Sequence, residues 1–296
     1  MGTLYIIIVL IFRVVQTFCN KNTSIMIKNT KMLLGFTAYQ NLISAVLALI
    51  LILAGGSGFY IDLKTVIIAL FSGVTLFMSV FFGIYAMKSG TVGLSSMFGT
   101  AGLIIPIIAG MFLFNQPVHA MQWFGVGVFF VSAWLLIGSS KEIFGSFSIK
   151  TLLLLLGALV SNGGTMLAQQ MFTTYVPEGR VTLFSFLSFG IIAILGALLT
   201  AVWGKNGGEN EKLSEGQRKA LIINGAGLAL SIFIINQLAT LSTALVSPVI
   251  LFTFINGGGT IASTVVAAMV FNERLTKRSV FGVISGVVSL IIIKMF

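Results

Sequence analysis

The sequence predicts an all-α integral membrane protein with ten transmembrane helices arranged as two inverted five-helix repeats. Three observations carry that expectation. Of 296 residues, 57% are hydrophobic and only 8% are charged, whereas a soluble domain carries about a quarter charged residues; mean hydropathy is +1.08. The apolar residues fall in long uncharged runs, and a spanning helix needs roughly 20 such residues. The chain also repeats itself at a fixed offset.

Taken in order, the expected spans are 4–20, 32–61, 65–87, 93–114, 121–138, 151–171 and 181–203, then two within 220–272, and last 279–293. Residues 89–140 hold no formal charge and are too long for one helix, so they divide at Asn115–His119. The uncharged run 220–272 divides near 240–247. The long polar connector is 204–219, where Ser214 and Gln217 have the spacing of a capping box that starts the eighth helix. Residues 1–3 offer no basic leader, so the first segment reads as a span and not as a cleaved signal. No stretch is polar enough to form a soluble domain, so function is expected inside the bundle.

The repeat is visible residue by residue. Phe114–Asn115–Gln116 and Trp123–Phe124–Gly125 correspond to Phe271–Asn272–Glu273 and Val280–Phe281–Gly282 at an offset of 157, which also pairs Gly102 with Gly259 and Ser132 with Ser289. A looser match at an offset of 153 pairs Tyr85–Ala86 and Ser89 with Leu238–Ala239 and Ser242. Two halves follow, 1–140 and 149–296. Five spans per half would set them in opposite orientation, the inverted repeat of many secondary transporters.

Charge sets the expected orientation. The net charge is +10, but the basic residues stand between apolar runs, so a nucleic-acid partner is not expected; the bilayer is. The odd connectors hold Lys21, Lys28, Lys31, Lys88, Lys141, Lys150, Lys205, Lys212, Arg218, Lys219, Arg274, Lys277 and Arg278. The even connectors and the termini hold only Lys64, Arg180 and Lys294. Thirteen against three predicts a multi-pass plasma-membrane protein with odd connectors in the cytoplasm and both termini outside. Cys19 and His119 are single copies, so no disulfide, metal centre or cofactor is expected. With no acidic residue in a span and the one histidine in a connector, an enzyme is not expected either. No phosphate-binding loop of the Gly-x-x-x-x-Gly-Lys kind occurs.

The remaining basic residue, Arg13, lies inside the first span. A guanidinium at membrane depth costs roughly 3 kcal/mol on insertion scales and normally faces a cavity or a partner. All seven acidic residues fall in the breaks between spans. Arg13 is therefore either an anion anchor or a scaffold residue bonded to backbone carbonyls. Gln16, Asn41, Asn162, Asn236, Gln237 and Asn256 are expected to bind substrate beside it, with Gln40, Ser79 and Thr100 as further midspan polar groups; interhelical glue is the alternative for each. Pro106 should kink the fourth helix and free a carbonyl. Gly257, Gly258 and Gly259 serve as a hinge or as a close-packing surface. Gly282, Ser285, Gly286 and Ser289 give the last helix a small-residue face for packing or for a homodimer.

The run Tyr85-Ala-Met-Lys-Ser-Gly-Thr-Val-Gly93, the Pro106 helix and Phe114-Asn-Gln resemble one EamA-type half of the drug/metabolite transporter superfamily. Phe271-Asn-Glu-Arg-Leu-Thr276 followed by Gly282 is similar to that family's glutamate–Leu–Thr turn before its last helix. The start of the chain also resembles a small multidrug-resistance subunit, with Arg13 standing where those proteins carry their essential glutamate. Carrying the same alignment into the second half sets Asn162 opposite Arg13. The resemblance implies a secondary transporter for a small-molecule substrate, and Arg13 makes an anionic or zwitterionic metabolite the expectation, with flipping of a phosphate-headed lipid carrier as the alternative. Ten-helix members of that family keep both termini in the cytoplasm, which the charge count here opposes.

Overall fold

A computed structural model describes residues 1–24, 26–27, 29–55, 61–88, 92–136, 149–203, 214–270 and 276–296. Every regular element among them is helical: α1 (Gly2–Ser24), α2 (Thr30–Ala54), α3 (Leu63–Lys88), α4 (Val92–Ala101), α5 (Ile104–Leu113), α6 (Ala120–Leu136), α7 (Ile149–Tyr175), α8 (Val181–Trp203), α9 (Glu215–Thr243), α10 (Pro248–Thr253), a π-helical turn (Phe254–Gly258), α11 (Gly259–Val270) and α12 (Lys277–Met295). Among the described residues, eight helices are long and apolar enough to cross a membrane, and Met97–Leu113 and Ala120–Leu136 are shorter apolar stretches. This is the architecture of a multi-pass membrane protein. The motif residues 89–91, the turn at 271–275 and the connector residues 204–213 lie outside the described residues.

Short polar side chains set several helix starts. The Asn29 side chain accepts from Met32 N at 2.8 Å. Ser214 and Gln217 form the full capping box of α9, with Gln217 N donating to Ser214 Oγ and Ser214 N donating to Gln217 Oε1. Pro248 occupies the first turn of α10, where its missing N–H leaves no bond unmade.

Two of the expected spans are interrupted. The fourth breaks between α4 and α5 at Gly102–Leu103. A proline has no N–H for the carbonyl four residues back, and its ring crowds that group; four residues before Pro106 is Gly102, whose carbonyl accepts from Ile105 N at 3.0 Å instead. The ninth winds into a π-turn just ahead of Gly259. The second span stops at Ala54, where the Gly55 N–H bonds back to Leu51 O, short of the expected residue 61.

The most extensive pairings join α2 to α8, α3 to α7, α6 to α12 and α1 to α9. Their directions follow from close approaches. Gly157 lies against Phe82 and Gly164 against Thr75, so α7 runs antiparallel to α3. Gly227 lies against Cys19 and Gly2 against Val246, so α9 runs antiparallel to α1. One core cluster gathers Val9, Leu103, Ile107, Phe129, Ile235 and Phe252, joining α1, α5, α6, α9 and α10. Outward, α2 exposes Leu42, Val46, Ile50 and Leu53, a stripe at helical spacing suited to lipid.

Candidate functional site

A cavity of about 720 Å³ opens between α1, α2, α3, α7, α8, α9 and the α10–π segment. Arg13, Gln16, Asn20 and Thr23 of α1 line it. Their spacing of three, four and three residues puts all four on one face of the helix. Asn162, Thr165 and Gln169 of α7 do the same from the other side, and α2 contributes Thr37, Gln40 and Asn41. Apolar surface completes the lining, with Phe36, Leu76, Val80, Ile192, Ile232 and Phe252 among it.

Arg13 is half-buried in this wall. One guanidinium nitrogen donates to Gln16 Oε1 at 3.1 Å, while its buried Nε has no hydrogen-bond partner. It makes no ion pair among the described residues. Its aliphatic stem lies on Gly259: a methyl there would sit 3.3 Å from Arg13 Cγ and 3.6 Å from Cδ. One turn on, Thr17 and Ser263 hydroxyls meet at 2.8 Å. The α1–α11 crossing thus holds the arginine stem while the head faces the cavity.

The amides behave differently from free donors. Asn41 Nδ2 donates to Thr37 O at 2.8 Å, Asn256 Nδ2 to Phe252 O at 2.9 Å and Asn162 Nδ2 to Gly99 O at 2.5 Å. Gln169 Nε2 donates to Asn236 Oδ1 at 2.7 Å. One amide hydrogen each of Asn41, Asn162 and Gln169 is thus engaged with protein, while Asn256 Nδ2 also reaches Met166 Sδ at 3.8 Å. The Oδ1 atoms of Asn41, Asn162 and Asn256 and Oε1 of Gln169 accept nothing from the described residues.

Six of the seven substrate-binding candidates line this one cavity: Arg13, Gln16, Asn41, Asn162, Asn236 and Asn256. Gln237 does not. It accepts from Ser185 at 2.9 Å and donates to Thr182 at 2.7 Å, tying α9 to α8. Successive helical residues diverge by about 100°, so turning Asn236 inward carries Gln237 away. Ser79 and Thr100 are also absent from the lining, whereas Gln40 is present. Asn20, Thr23, Thr37 and Gln169 join the site beyond the expected set, and Thr165 enters it from the polar stretch 162–165. Their signal was periodicity: polar residues three and four apart along α1 and α7.

The glycine run serves close contact. Methyl groups at Gly257 and Gly258 would meet the Phe129 ring at 2.6 Å and Leu10 at 3.0 Å. Asn256 stands inside the π-turn, a device frequent at functional sites. Opposite it, Gly102 and Gly163 touch backbone to backbone, with a Cβ on Gly102 reaching 2.8 Å from Gly163 N.

The cavity reaches an exposed rim at Asn20, beside the α1–α2 connector. At the far end of α7 the bundle is closed. Gln170 Nε2 donates to Gln116 Oε1 at 2.8 Å, Thr173 and Thr243 hydroxyls meet at 2.7 Å, and the Phe114 and Tyr175 rings pack edge to face at 5.7 Å. No cluster of His, Cys, Asp or Glu able to hold a metal occurs among the described residues.

No family model and no curated protein matches the sequence. Twenty-eight solved chains match in fold. One crystal structure of a protein aligns with 98% of this chain and 98% of its own length, at a TM-score of 0.77 and 13% identity. At that identity the likeness is one of fold alone.

Proposed function

We propose that the protein is a secondary transporter that moves a small anionic or zwitterionic solute across the plasma membrane by alternating access. In this reading it has ten spans, counting α4–α5 and α6 with the eight long ones, in two inverted halves. The observation that carries it is the Arg13 cavity, open at one end and closed at the other, lying between the halves. Transporter sites of this kind sit near the bilayer midplane beside broken helices, and here the breaks at Gly102–Leu103 and Phe254–Gly258 flank the polar walls.

The packing supports two equivalent halves. Exchanging α1, α2, α3, α4–α5 and α6 with α7, α8, α9, α10–α11 and α12 turns the α1–α9 pairing into α7–α3, returns α2–α8 and α6–α12 to themselves, and turns α1–α11 into α7–α5. The α6–α12 contact is reciprocal at single atoms. Ser132 Oγ donates to Gly282 O at 2.6 Å, and Ser289 Oγ to Gly125 O at 2.8 Å. Both residue pairs are related by the offset of 157. The Arg13–Gly259 and Asn162–Gly102 regions are likewise counterparts. Because the small face of α12 is occupied by α6, a homodimer through it is not part of this reading.

The mouth lies on the side of the odd connectors, so the positive-inside count makes this an inward-open form. With no nucleotide-binding loop, the driving force is a solute or ion gradient. Thermal stabilisation of the purified protein by anionic, zwitterionic and cationic metabolites, run beside Arg13→Gln, tests the reading. A ligand of the folded state raises the melting temperature by mass action. Stabilisation by negatively charged solutes that Arg13→Gln abolishes is the expected result. An unchanged ligand response in the variant would make Arg13 a scaffold residue.

A further inference from the structure

We propose that Lys277 and Arg278, with the face of α12 below them, bind an anionic phospholipid. Its phosphate sits between the two cations, and its acyl chains run down an apolar stripe of the helix. Lys277, Phe281, Ile284, Val288 and Ile291 are all exposed, and steps of four, three, four and three residues keep them on one face. On the opposite face Gly282 lies against Leu136, and Ser289 Oγ donates to Gly125 O at 2.8 Å. The stripe therefore points out of the bundle. From Lys277 to Val288 the helix rises about 16 Å, the depth of one leaflet in a hydrocarbon core of roughly 30 Å. An exposed cation thus heads one leaflet's length of apolar surface, which matches a phospholipid in both reach and polarity.

The charge selects which lipid. Arg278 lies about 100° round the helix from Lys277, towards α6. Its guanidinium stacks over the Trp134 ring at 4.6 Å, and one terminal nitrogen donates to Trp134 O at 2.9 Å. That bond gives a partner to one of the last-turn carbonyls of α6 and holds the arginine head at the seam between the two helices. The other terminal nitrogen meets no acceptor among the described residues. Lys277 makes no ion pair there either. In the sequence, residues 273–278 carry one acid, Glu273, against Arg274, Lys277 and Arg278. Both cations also occupy the first turn of α12, which holds no acidic residue and where the helix dipole disfavours positive charge. A phosphodiester offsets that surplus. A headgroup of zero net charge brings a cation of its own into the same cluster, so a net-negative lipid is preferred. A soluble anion would answer the charge and leave the stripe unused. The exposed Trp134 ring completes the site with the amphipathic group common at headgroup level.

Quenching of tryptophan fluorescence by brominated lipids tests this on the full chain in proteoliposomes. The sequence holds three tryptophans, so with Trp123→Phe and Trp203→Phe the signal reports Trp134 alone. Brominated phosphatidylglycerol is expected to win over brominated phosphatidylcholine at Trp134 by about fivefold or more, the scale of one basic residue at an anionic surface. Lys277→Gln should bring that ratio to about twofold or less, and Lys277→Arg should keep it. Lys294→Gln, at the far end of the same helix, should leave it unchanged. Arg278 stays in place in every variant because its bond to Trp134 O also caps α6. Equal quenching by the two lipids in wild type, or an undiminished ratio in Lys277→Gln, overturns the proposal. So does loss of the ratio in millimolar inorganic phosphate, which would make this a soluble-anion site. None of these outcomes alters the reading of the Arg13 cavity.

Discussion

Gly259 lies under the stem of Arg13, with room for a methyl group 3.3 Å from Arg13 Cγ and no more. The space available therefore grades substitutions. Gly259→Ala needs only a small shift and gains helix propensity, worth up to about 1 kcal/mol, so its melting temperature should match or exceed wild type. Gly259→Val pushes the arginine stem away and should weaken ligand binding while the fold persists. Gly257→Ala, whose methyl would strike the Phe129 ring at 2.6 Å, should lower the melting temperature, with overpacking costing about 1–3 kcal/mol. Thermal unfolding with and without ligand separates the three.

Replacing the arginine itself should divide stability from binding. Its head has one bond to Gln16 and an unpartnered Nε, so the folded protein gains little from the charge. Arg13→Gln is expected to unfold at or above the wild-type temperature without ligand and to lose the response to carboxylates. Arg13→Lys keeps the charge but not the planar fork, and should bind more weakly than wild type without losing binding. A large loss of ligand-free stability in Arg13→Gln would mark the residue as structural.

The reciprocal bonds between α6 and α12 predict equal costs. Ser132→Ala and Ser289→Ala each remove one buried hydroxyl bond to a glycine carbonyl. Such bonds in membrane bundles average about 0.6 kcal/mol. Each variant should lose about that much, and the double variant about the sum, since the two bonds share no atom. Equilibrium unfolding in mixed micelles would read it; a strongly unequal pair would argue against the two halves being equivalent here.

Much of this arrangement was legible because helix periodicity projects onto a face. Arg13 and Gln16 were found by charge and polarity, and extending the same spacing reaches Asn20 and Thr23. Pro106 announces a distortion, and the loss of its own bond to Gly102 O, which Ile105 N takes instead, marks where the break falls. Gln237 turns to Ser185 and Thr182 instead of the cavity, a difference invisible in sequence because a midspan amide reads the same whichever neighbour it meets. The π-turn at Phe254–Gly258 left no trace in hydropathy, since one inserted residue changes the winding without changing composition. Gly257–Gly259 could be read as hinge or packing surface, and only the neighbours Phe129, Leu10 and Arg13 favour packing.

The acidic residue at the start of α3 gives a pH dependence of known sign. Asp62 accepts from the Thr65 hydroxyl and from Thr65 N, and the side-chain bond, ahead of the backbone ones, holds its carboxyl below the usual aspartate range. A depressed folded-state pKa contributes stability above the unfolded value, about 3.9, and that contribution disappears as pH falls through the folded one. Asp62→Ala should cost about 1 kcal/mol or less at neutral pH, as for a lost cap. The gap from wild type should shrink as the melting temperature is followed below pH 4.

The two ends of the cavity predict opposite chemical accessibility. Asn20 is exposed at the rim, whereas Thr173 meets Thr243 beneath the Gln116–Gln170 bond and the Phe114–Tyr175 contact. In a Cys19→Ala background, Asn20→Cys should react quickly with a membrane-impermeant maleimide added on the side of the first connector. Thr173→Cys should react slowly from either side. A transported solute must let the far end open while the near end closes, so saturating solute in proteoliposomes should slow Asn20→Cys and speed Thr173→Cys together. Gln170→Ala removes the amide bond at the closed end and should raise the Thr173→Cys rate without solute. If both cysteines react equally fast at rest and neither rate responds to any solute, the cavity is a through-passage, and alternating access would have to be abandoned for a channel.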